Sequence, residues 1–548
     1  MQRHGGQILV GQLAIQGCDR VFCVPGESYL AALDGLHAHN AIHTVVCRQE
    51  GGAAMMAEAY GKATGVPGIC FCTRGPGATN AASGVHVAFQ DSTPMILFIG
   101  QVASDQKDRE AFQEVNYELM FAPLAKWVAQ IDSVDRIPEY ISQAYHRAMS
   151  GRPGPVVLAL PEDMLSSSTD VQDAEAATSV EAKLADEDLQ QLTDLLVEAE
   201  RPLMIVGGSG WSQGINDQLE AFAAREGMPV ACAFRFQDHF DNTHPNYVGD
   251  VGIGVNPKLV KRIADSDLLI AVGVRLGEMT TSGYTLLDIP SPKQKLVHVY
   301  PGSDELGRVY RPHLAINASS RSFVASLTGL TGIGKASWQE QALKGHADYE
   351  ANIVPEATAG DFRIEEAVTW LSANLPIDAV ITNGAGNYSA WVHRYHQYRK
   401  FGSQLAPTSG SMGYGLPAAI GGQFAHPDRR VVCFAGDGCL MMTCQELATI
   451  AAHDLPIIVV VVNNGMYGTI RMHQERTYPG RVSGTSLHNP DFVAFGLSFG
   501  LEAALVERTE DFASAFETAL SSNKPYLLEL KVDPEALSPK LKLSSLTK

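Results

Sequence analysis

Short runs of β-branched and other apolar residues recur along the 548-residue chain, and longer stretches of helical periodicity separate them. This alternation points to α/β layers built on parallel sheets. The runs fall into three blocks: residues 20–24, 43–47, 69–73, 95–99 and 155–160; then 203–206, 229–234, 268–274 and 296–300; then 379–382, 431–435, 457–462 and 526–532. Between the blocks, residues 166–188 are rich in Ser, Thr, Ala, Asp and Glu, and residues 345–361 are again polar, so both read as surface connections. The expected architecture is three doubly wound parallel-sheet domains spanning 1–165, 190–335 and 361–533, in keeping with a length that exceeds one core. The Ser- and Lys-bearing tail after Pro534 is expected to be mobile or draped on the surface. No short internal repeat is evident, although the first and third blocks are candidates for distant structural cousins.

A formal charge of −19 repels a phosphate backbone, and no basic stripe is dense enough to overcome it, so nucleic-acid binding is not expected. No apolar run approaches the roughly 18 residues that span a bilayer. The start of the chain, with Arg3 and His4 followed by Gln7-Ile8-Leu9-Val10-Gly11-Gln12, is too polar for a secretory signal, which makes the cytoplasm the expected location. The nine cysteines are scattered and lie mostly in apolar runs, as Cys70 and Cys72 do, and read as core thiols.

Ligands of open parallel sheets gather beyond the carboxyl ends of the strands. Two such ends carry oxygen donors: residues 430–435 run into Gly436-Asp437-Gly438, and residues 456–462 run into Asn463-Asn464. The chain between them suits one crossover helix, which would set the two ends side by side. A carboxylate and an amide oxygen suit Mg²⁺, the flanking glycines admit phosphate to the backbone, and a helix starting near Cys439 would add amide donors. Taken singly, Gly-Asp-Gly is a turn and Asn-Asn a helix cap.

Together with Gly465-Met466-Tyr467-Gly468, the pair resembles the fingerprint of thiamine diphosphate-dependent enzymes, and the chain is similar along nearly its whole length to the acetolactate synthase and pyruvate oxidase group. The resemblance implies pyrimidine-binding, middle Rossmann-like and diphosphate-binding domains in that order. It implies Mg²⁺ held by the side chains of Asp437 and Asn464 and the carbonyl of Met466, with Gly436, Gly438, Cys439, Tyr467 and Gly468 around the cofactor. Gly384 and Asn387, in Asn383-Gly384-Ala385-Gly386-Asn387, fall where the family contacts diphosphate. At the other end of the cofactor a buried carboxyl must share a proton with the pyrimidine, and Glu50, in Arg48-Gln49-Glu50-Gly51-Gly52 ahead of an expected helix over 51–62, matches the family's activating glutamate. In isolation Glu50 would simply suit a helix N-terminus. Gly75 and Asn80, in Thr73-Arg74-Gly75-Pro76-Gly77-Ala78-Thr79-Asn80, match the loop beside the cofactor. Met412 matches the residue that bends the cofactor, and the carbonyl of Gly410 the group that holds its amino nitrogen. In the family Glu50 and Asp437 would come from different subunits, which implies a homodimer or a tetramer.

The implied chemistry is decarboxylation of a small 2-oxo acid. Related decarboxylases protonate the remaining fragment with paired histidines and a glutamate; Thr73-Arg74-Gly75-Pro76 lacks the former, and Ile470 stands in place of the latter. Losing a general acid costs roughly two to four powers of ten, which favours joining the fragment to a second carbonyl compound. Phe112-Gln113-Glu114 matches a segment lining the substrate channel, making Gln113 a candidate contact, or else a solvated loop residue. Glu162 replaces the usual synthase lysine, His473 a specificity-setting tryptophan, and Glu27-Ser28 adds a charge, all of which counts against pyruvate paired with pyruvate. FAD is not expected: Arg275 is kept, but Leu276-Gly277-Glu278-Met279 and Val299-Tyr300-Pro301 replace acidic segments, and Gly207-Gly208-Ser209-Gly210 is an unspecific turn. The alternatives are a 2-oxo acid decarboxylase, an aldehyde lyase, a diketone hydrolase, or a catalytically silent cofactor-binding paralogue.

Overall fold

The computed structural model describes residues 2–546. Three six-stranded sheets, parallel throughout, carry the chain. The first contains β1 (Arg20–Cys23), β2 (His43–Val46), β3 (Gly68–Cys72), β4 (Met95–Gln101), β5 (Trp127–Gln130) and β6 (Pro155–Pro161), in the order β2-β1-β3-β4-β6-β5. The second contains β7 (Pro202–Val206), β8 (Val230–Cys232), β9 (Tyr247–Asp250), β10 (Leu268–Val272), β11 (Lys295–Val299) and β12 (Leu314–Ile316), in the order β9-β8-β7-β10-β11-β12. The third contains β13 (Val380–Asn383), β14 (Gln404–Leu405), β15 (Val431–Gly436), β16 (Ile458–Asn463), β17 (Glu502–Val506) and β18 (Tyr526–Lys531), in the order β14-β13-β15-β16-β18-β17. Counted within each sheet, the first and third share one strand order, so the kinship suspected between those blocks exists at the level of topology. The second has the order of dinucleotide-binding sheets.

The apolar runs become central strands because both faces of a parallel sheet are covered; Ile458, Val459, Val460 and Val461 are wholly buried. The described residues condense into two compact units: 2–180 with 409–427 and 443–455, and 181–408 with 428–442 and 456–546. In the first unit, helix α1 (Glu50–Thr64) is buried on nearly every side. Small residues let its neighbours α2 (Gly75–Asp91) and α3 (Gly415–Ala425) approach its backbone. A Cβ on Gly84 would stand 2.5 Å from that of Ala54, and one on Gly421 would stand 2.4 Å from the Met56 carbonyl. Burying the carboxylate of Glu58 in α1 is tolerable because Lys62 pairs with it at 3.1 Å and Thr93 and Tyr414 donate to it at 2.6 and 2.5 Å.

Several expectations need correction. The strands β5, β9, β12, β14 and β17 were not legible; β12 and β14 have only three and two residues, and β5 and β17 are half-exposed edges of their sheets. The polar stretch 345–361 is not all connection, since helix Ala336–Asn352 runs into it and buries Trp338, Ala342, Gly345 and Tyr349 at helical spacing. The stretch 166–188 is tethered rather than loose: Ser168–Thr169 pairs with Arg3–His4, the side chain of Gln12 exchanges hydrogen bonds with the backbone of Ala174, and helix Asp186–Glu198 begins inside it. The helix expected near Cys439 is a single turn, Asp437–Leu440, too short for a sizeable dipole. The tail forms a small hairpin, Ala536–Ser538 with Leu541–Lys542, and buries Ala536 and Leu537; Thr547 and Lys548 lie outside the described residues. All nine cysteines are free thiols, and only Cys18 and Cys444 are not fully buried. Among the described residues, no helix is long and apolar enough to cross a membrane.

Candidate active site

Two groups of candidate residues form, one in each compact unit, and both lie at the carboxyl ends of their strands. In the first unit the chain leaves β2 and turns sharply into α1, whose first residue is Glu50. Glu446 holds that turn: its carboxylate accepts the amides of Arg48 at 3.1 Å and Gln49 at 2.9 Å, and Thr449 donates to it at 2.6 Å. Burial raises the Glu446 carboxyl above its ordinary range, against the pull of these donors. The Gln49 side chain accepts the Gly52 amide and caps the helix. Glu50 itself is 8% exposed, and its Oε2 accepts from the Asn80 side chain at 2.9 Å. A Cβ on Gly77 would stand 3.1 Å from Glu50 Oε1, so α2 passes directly over the carboxylate. At the start of α2 the Gly75 amide donates to the carbonyl of Gln113 at 3.0 Å, and Gln113 has a φ of +64°, a conformation unusual for its side chain. Beside them Arg74, 7% exposed, pairs with Glu162 at 2.6 Å.

In the second unit β15 and β16 are hydrogen-bonded neighbours, with Gly436 opposite Val462, so the two motif-bearing ends do lie side by side. Asp437 is buried; its Oδ1 accepts the Gly438 amide at 2.9 Å, and its Oδ2 accepts the Gly465 amide at 2.9 Å and the Asn489 side chain at 2.7 Å. Burial raises its carboxyl despite these bonds. The Asn464 side-chain oxygen accepts the Met466 amide at 3.2 Å. Residues 465–467 are held by a strand-like exchange with 485–487: Tyr467 donates to Thr485 at 2.9 Å and Leu487 to Gly465 at 2.8 Å. Neither Gly436 nor Gly438 has room for a side chain, since a Cβ would lie 2.9 Å from the Tyr388 ring or 2.5 Å from the Tyr467 ring. At the end of β13 the Gly384 amide donates to the Tyr388 hydroxyl at 3.0 Å, and that hydroxyl donates to the sulfur of Cys439 at 3.3 Å. Asn387 accepts from Thr469, next to Gly468, at 2.9 Å.

The structure therefore joins Glu50 with Asn80 and Gly75 with Gln113 in one unit. In the other it gathers Gly384, Asn387, Gly436, Asp437, Gly438, Cys439, Asn464, Met466, Tyr467 and Gly468 around three adjacent strand ends. Gly410, with a φ of +68°, and Met412 lie on the loop before α3 and enter neither set of hydrogen bonds among the described residues. Sequence reasoning missed Glu446 and Asn489. The donor set fits a small hard cation with phosphate: one carboxylate and two neutral oxygens leave coordination places for phosphate and water, and the glycines keep side chains out of the cradle.

Asn489 ties the carboxylate of Asp437 to the side chain of Asn463, which it reaches at 3.0 Å. As a test of the cation site that the resemblance implies, Asn489→Ala is expected to weaken Mg²⁺-dependent binding of thiamine diphosphate about tenfold, the usual effect of a lost partner behind a metal ligand, as read by calorimetric titration.

Comparison with known proteins places this geometry. Three family profiles match the chain: thiamine pyrophosphate enzyme, N-terminal TPP binding domain, over residues 3–120; the central domain over 189–327; and the C-terminal TPP binding domain over 384–530. The chain is 30% identical over 535 residues to the acetolactate synthase isozyme 2 large subunit of Escherichia coli (strain K12), covering 97% of this chain and 96% of that one. It is 32% identical over 546 residues to the acetolactate synthase large subunit of Parasynechococcus marenigrum, covering 96% and 87%. It is 31% identical over 554 residues to acetolactate synthase 2, chloroplastic, of Nicotiana tabacum, covering 97% and 82%. With similarity of this extent joined to a carboxyl-edge glutamate and a Gly-Asp-Gly cradle, the chain belongs to the thiamine pyrophosphate enzymes, as an enzyme of the acetolactate synthase large-subunit type.

Proposed function

We propose that this enzyme decarboxylates a small 2-oxo acid and joins the retained acyl carbon to a second carbonyl compound, using thiamine diphosphate and Mg²⁺. The observation that carries the reading is the buried carboxyl of Glu50, gripped by Asn80 and held at the head of α1 by Glu446. When bound, thiamine diphosphate supplies an electron sink for breaking and making bonds next to a carbonyl group. Glu50 holds a proton at the pyrimidine end. Asp437, Asn464 and the Met466 carbonyl hold the cation, while Gly384, Asn387, Cys439, Tyr467 and Gly468 border the diphosphate. Gly410 and Met412 support the aminopyrimidine, and Gln113, beside Gly75, reads the substrate.

The choice of carboligation rests on the side chains that would otherwise deliver a proton. Ile470 is an exposed hydrocarbon where a decarboxylase glutamate would stand, and Arg74, in the segment that carries paired histidines in related decarboxylases, is committed to Glu162. The same reading includes no flavin: Leu276-Gly277-Glu278-Met279 and Val299-Tyr300-Pro301 stand where FAD-binding relatives hold the nucleotide with acidic segments. The same reading keeps domain boundaries at 1–165, 190–335 and 361–533, a homodimer or tetramer, and a cytoplasmic location.

The test is product analysis. The enzyme, reconstituted with thiamine diphosphate and Mg²⁺, is incubated with a panel of 2-oxo acids and aldehydes and, separately, with a diketone, and products are identified by NMR. A new carbon–carbon bond with release of CO₂ is expected. Free aldehyde alone would overturn the carboligase assignment in favour of a decarboxylase, and cleavage of a diketone without CO₂ would favour a hydrolase.

A further inference from the structure

We propose that Arg235, just past the end of β8 in the second sheet, is a positioning residue for the diphosphate: it presets the Gly384–Ala385 peptide so that the Ala385 N–H is presented to the phosphate oxygens. The proposal rests on reading residues 384–387 as the diphosphate-binding segment.

Arg235 follows the end of β8 and is 4% exposed, with a φ of +64°. A non-glycine residue in that conformation is strained and persists only where surrounding contacts hold it. The contacts are explicit. The guanidinium donates to the carbonyl of Gly384 at 3.1 Å and to the carbonyl of Pro407, so a permanent cation grips the ends of two neighbouring strands, β13 and β14. The Asn383 side chain adds a second donor to the Gly384 carbonyl at 2.8 Å.

The segment bearing Arg235 is itself locked in place. The Gln237 amide donates to the Gln404 side chain at 2.8 Å, Asp238 accepts the amides of Gly402 and Gln404 at 2.9 and 3.2 Å, and Asn242 accepts the Tyr398 amide at 2.9 Å. Because a trans peptide is planar, fixing the Gly384 oxygen toward Arg235 fixes the Ala385 N–H in the opposite direction. The Gly384 amide is engaged by Tyr388, which makes Ala385 the first residue of this turn able to present its N–H to a phosphate. The buried charge also lowers the electrostatic cost of bringing a polyanion to these strand ends.

The experiment titrates the full-length chain, Arg235→Lys and Arg235→Met with thiamine diphosphate and, separately, with inorganic pyrophosphate, both with Mg²⁺, by calorimetry. Turnover is measured at saturating cofactor, and thermal melting without cofactor checks the fold. Arg235→Met is expected to weaken both ligands by about tenfold or more, with turnover at saturation within about twofold. Arg235→Lys, able to reach one carbonyl, is expected to fall between and carries the test if the Met variant fails to fold. Unchanged affinity in Arg235→Lys and Arg235→Met, or a loss of turnover without loss of affinity, would overturn the proposal. If the parent chain bound neither ligand, the underlying reading of the strand ends would fall with it, which is a different result from parent-like variants.

Discussion

Glu50→Gln is expected to lower turnover by about two to four powers of ten while thiamine diphosphate and Mg²⁺ still bind within about tenfold of the parent. The substitution is close to isosteric, and a glutamine oxygen in that position still accepts from Asn80. The turn into α1 is unaffected, because Glu446 holds it through the amides of Arg48 and Gln49 and not through the Glu50 side chain. What changes is that an amide holds no exchangeable acid proton for the pyrimidine nitrogen. A fall in turnover with retained binding separates this role from that of a helix-terminal acid, whose removal would shift stability by a few tenths to one kcal/mol and leave chemistry alone. Turnover equal to the parent would return Glu50 to that lesser role.

The second large effect is expected at the proposed cation site. Asp437→Ala removes the one carboxylate of the proposed cation site, and affinity for thiamine diphosphate with Mg²⁺ is expected to drop by about a hundredfold or more, beyond the loss typical of an outer partner. Activity at ordinary cofactor concentration should vanish. The substitution also strands the amides of Gly438 and Gly465 and the side chain of Asn489, so some loss of stability is expected. Comparing melting temperatures with and without cofactor distinguishes the two effects. The parent is expected to gain stability from the cofactor by mass action, and the variant to gain little at the same concentration.

These sites differ in how openly the sequence announces them. The adjacency of the two motif-bearing strand ends was legible because both motifs close uninterrupted apolar runs, and neighbouring parallel strands bring such closing residues together with no further information. The one-turn helix at Asp437 was overestimated because the sequence after Gly438 stays apolar, while Met441 and Met442 in fact turn outward to 41% and 47% exposure. Glu446 was invisible for the opposite reason: it reads as one acid at the start of a helix, and the amides it serves lie 397 and 398 residues earlier in the chain. Asn489 sits in Asn-Pro, a common turn opener, and reaches Asp437 only because residues 485–487 pair with 465–467 across a loop that shows no strand pattern. The kinship of the first and third sheets could be suspected from their blocks, but their common strand order could not be read, because one edge strand of each was missed and a second of the third sheet with it.

The central claim is that Glu50 works as a proton relay to the cofactor, and exchange of the thiazolium C2 hydrogen for deuterium in the bound state measures that most directly. With parent and Glu50→Gln both saturated with thiamine diphosphate and Mg²⁺ and quenched in acid for NMR, exchange is expected to be slower in the variant by about a hundredfold or more. Equal exchange rates in the two proteins would contradict the role assigned to Glu50.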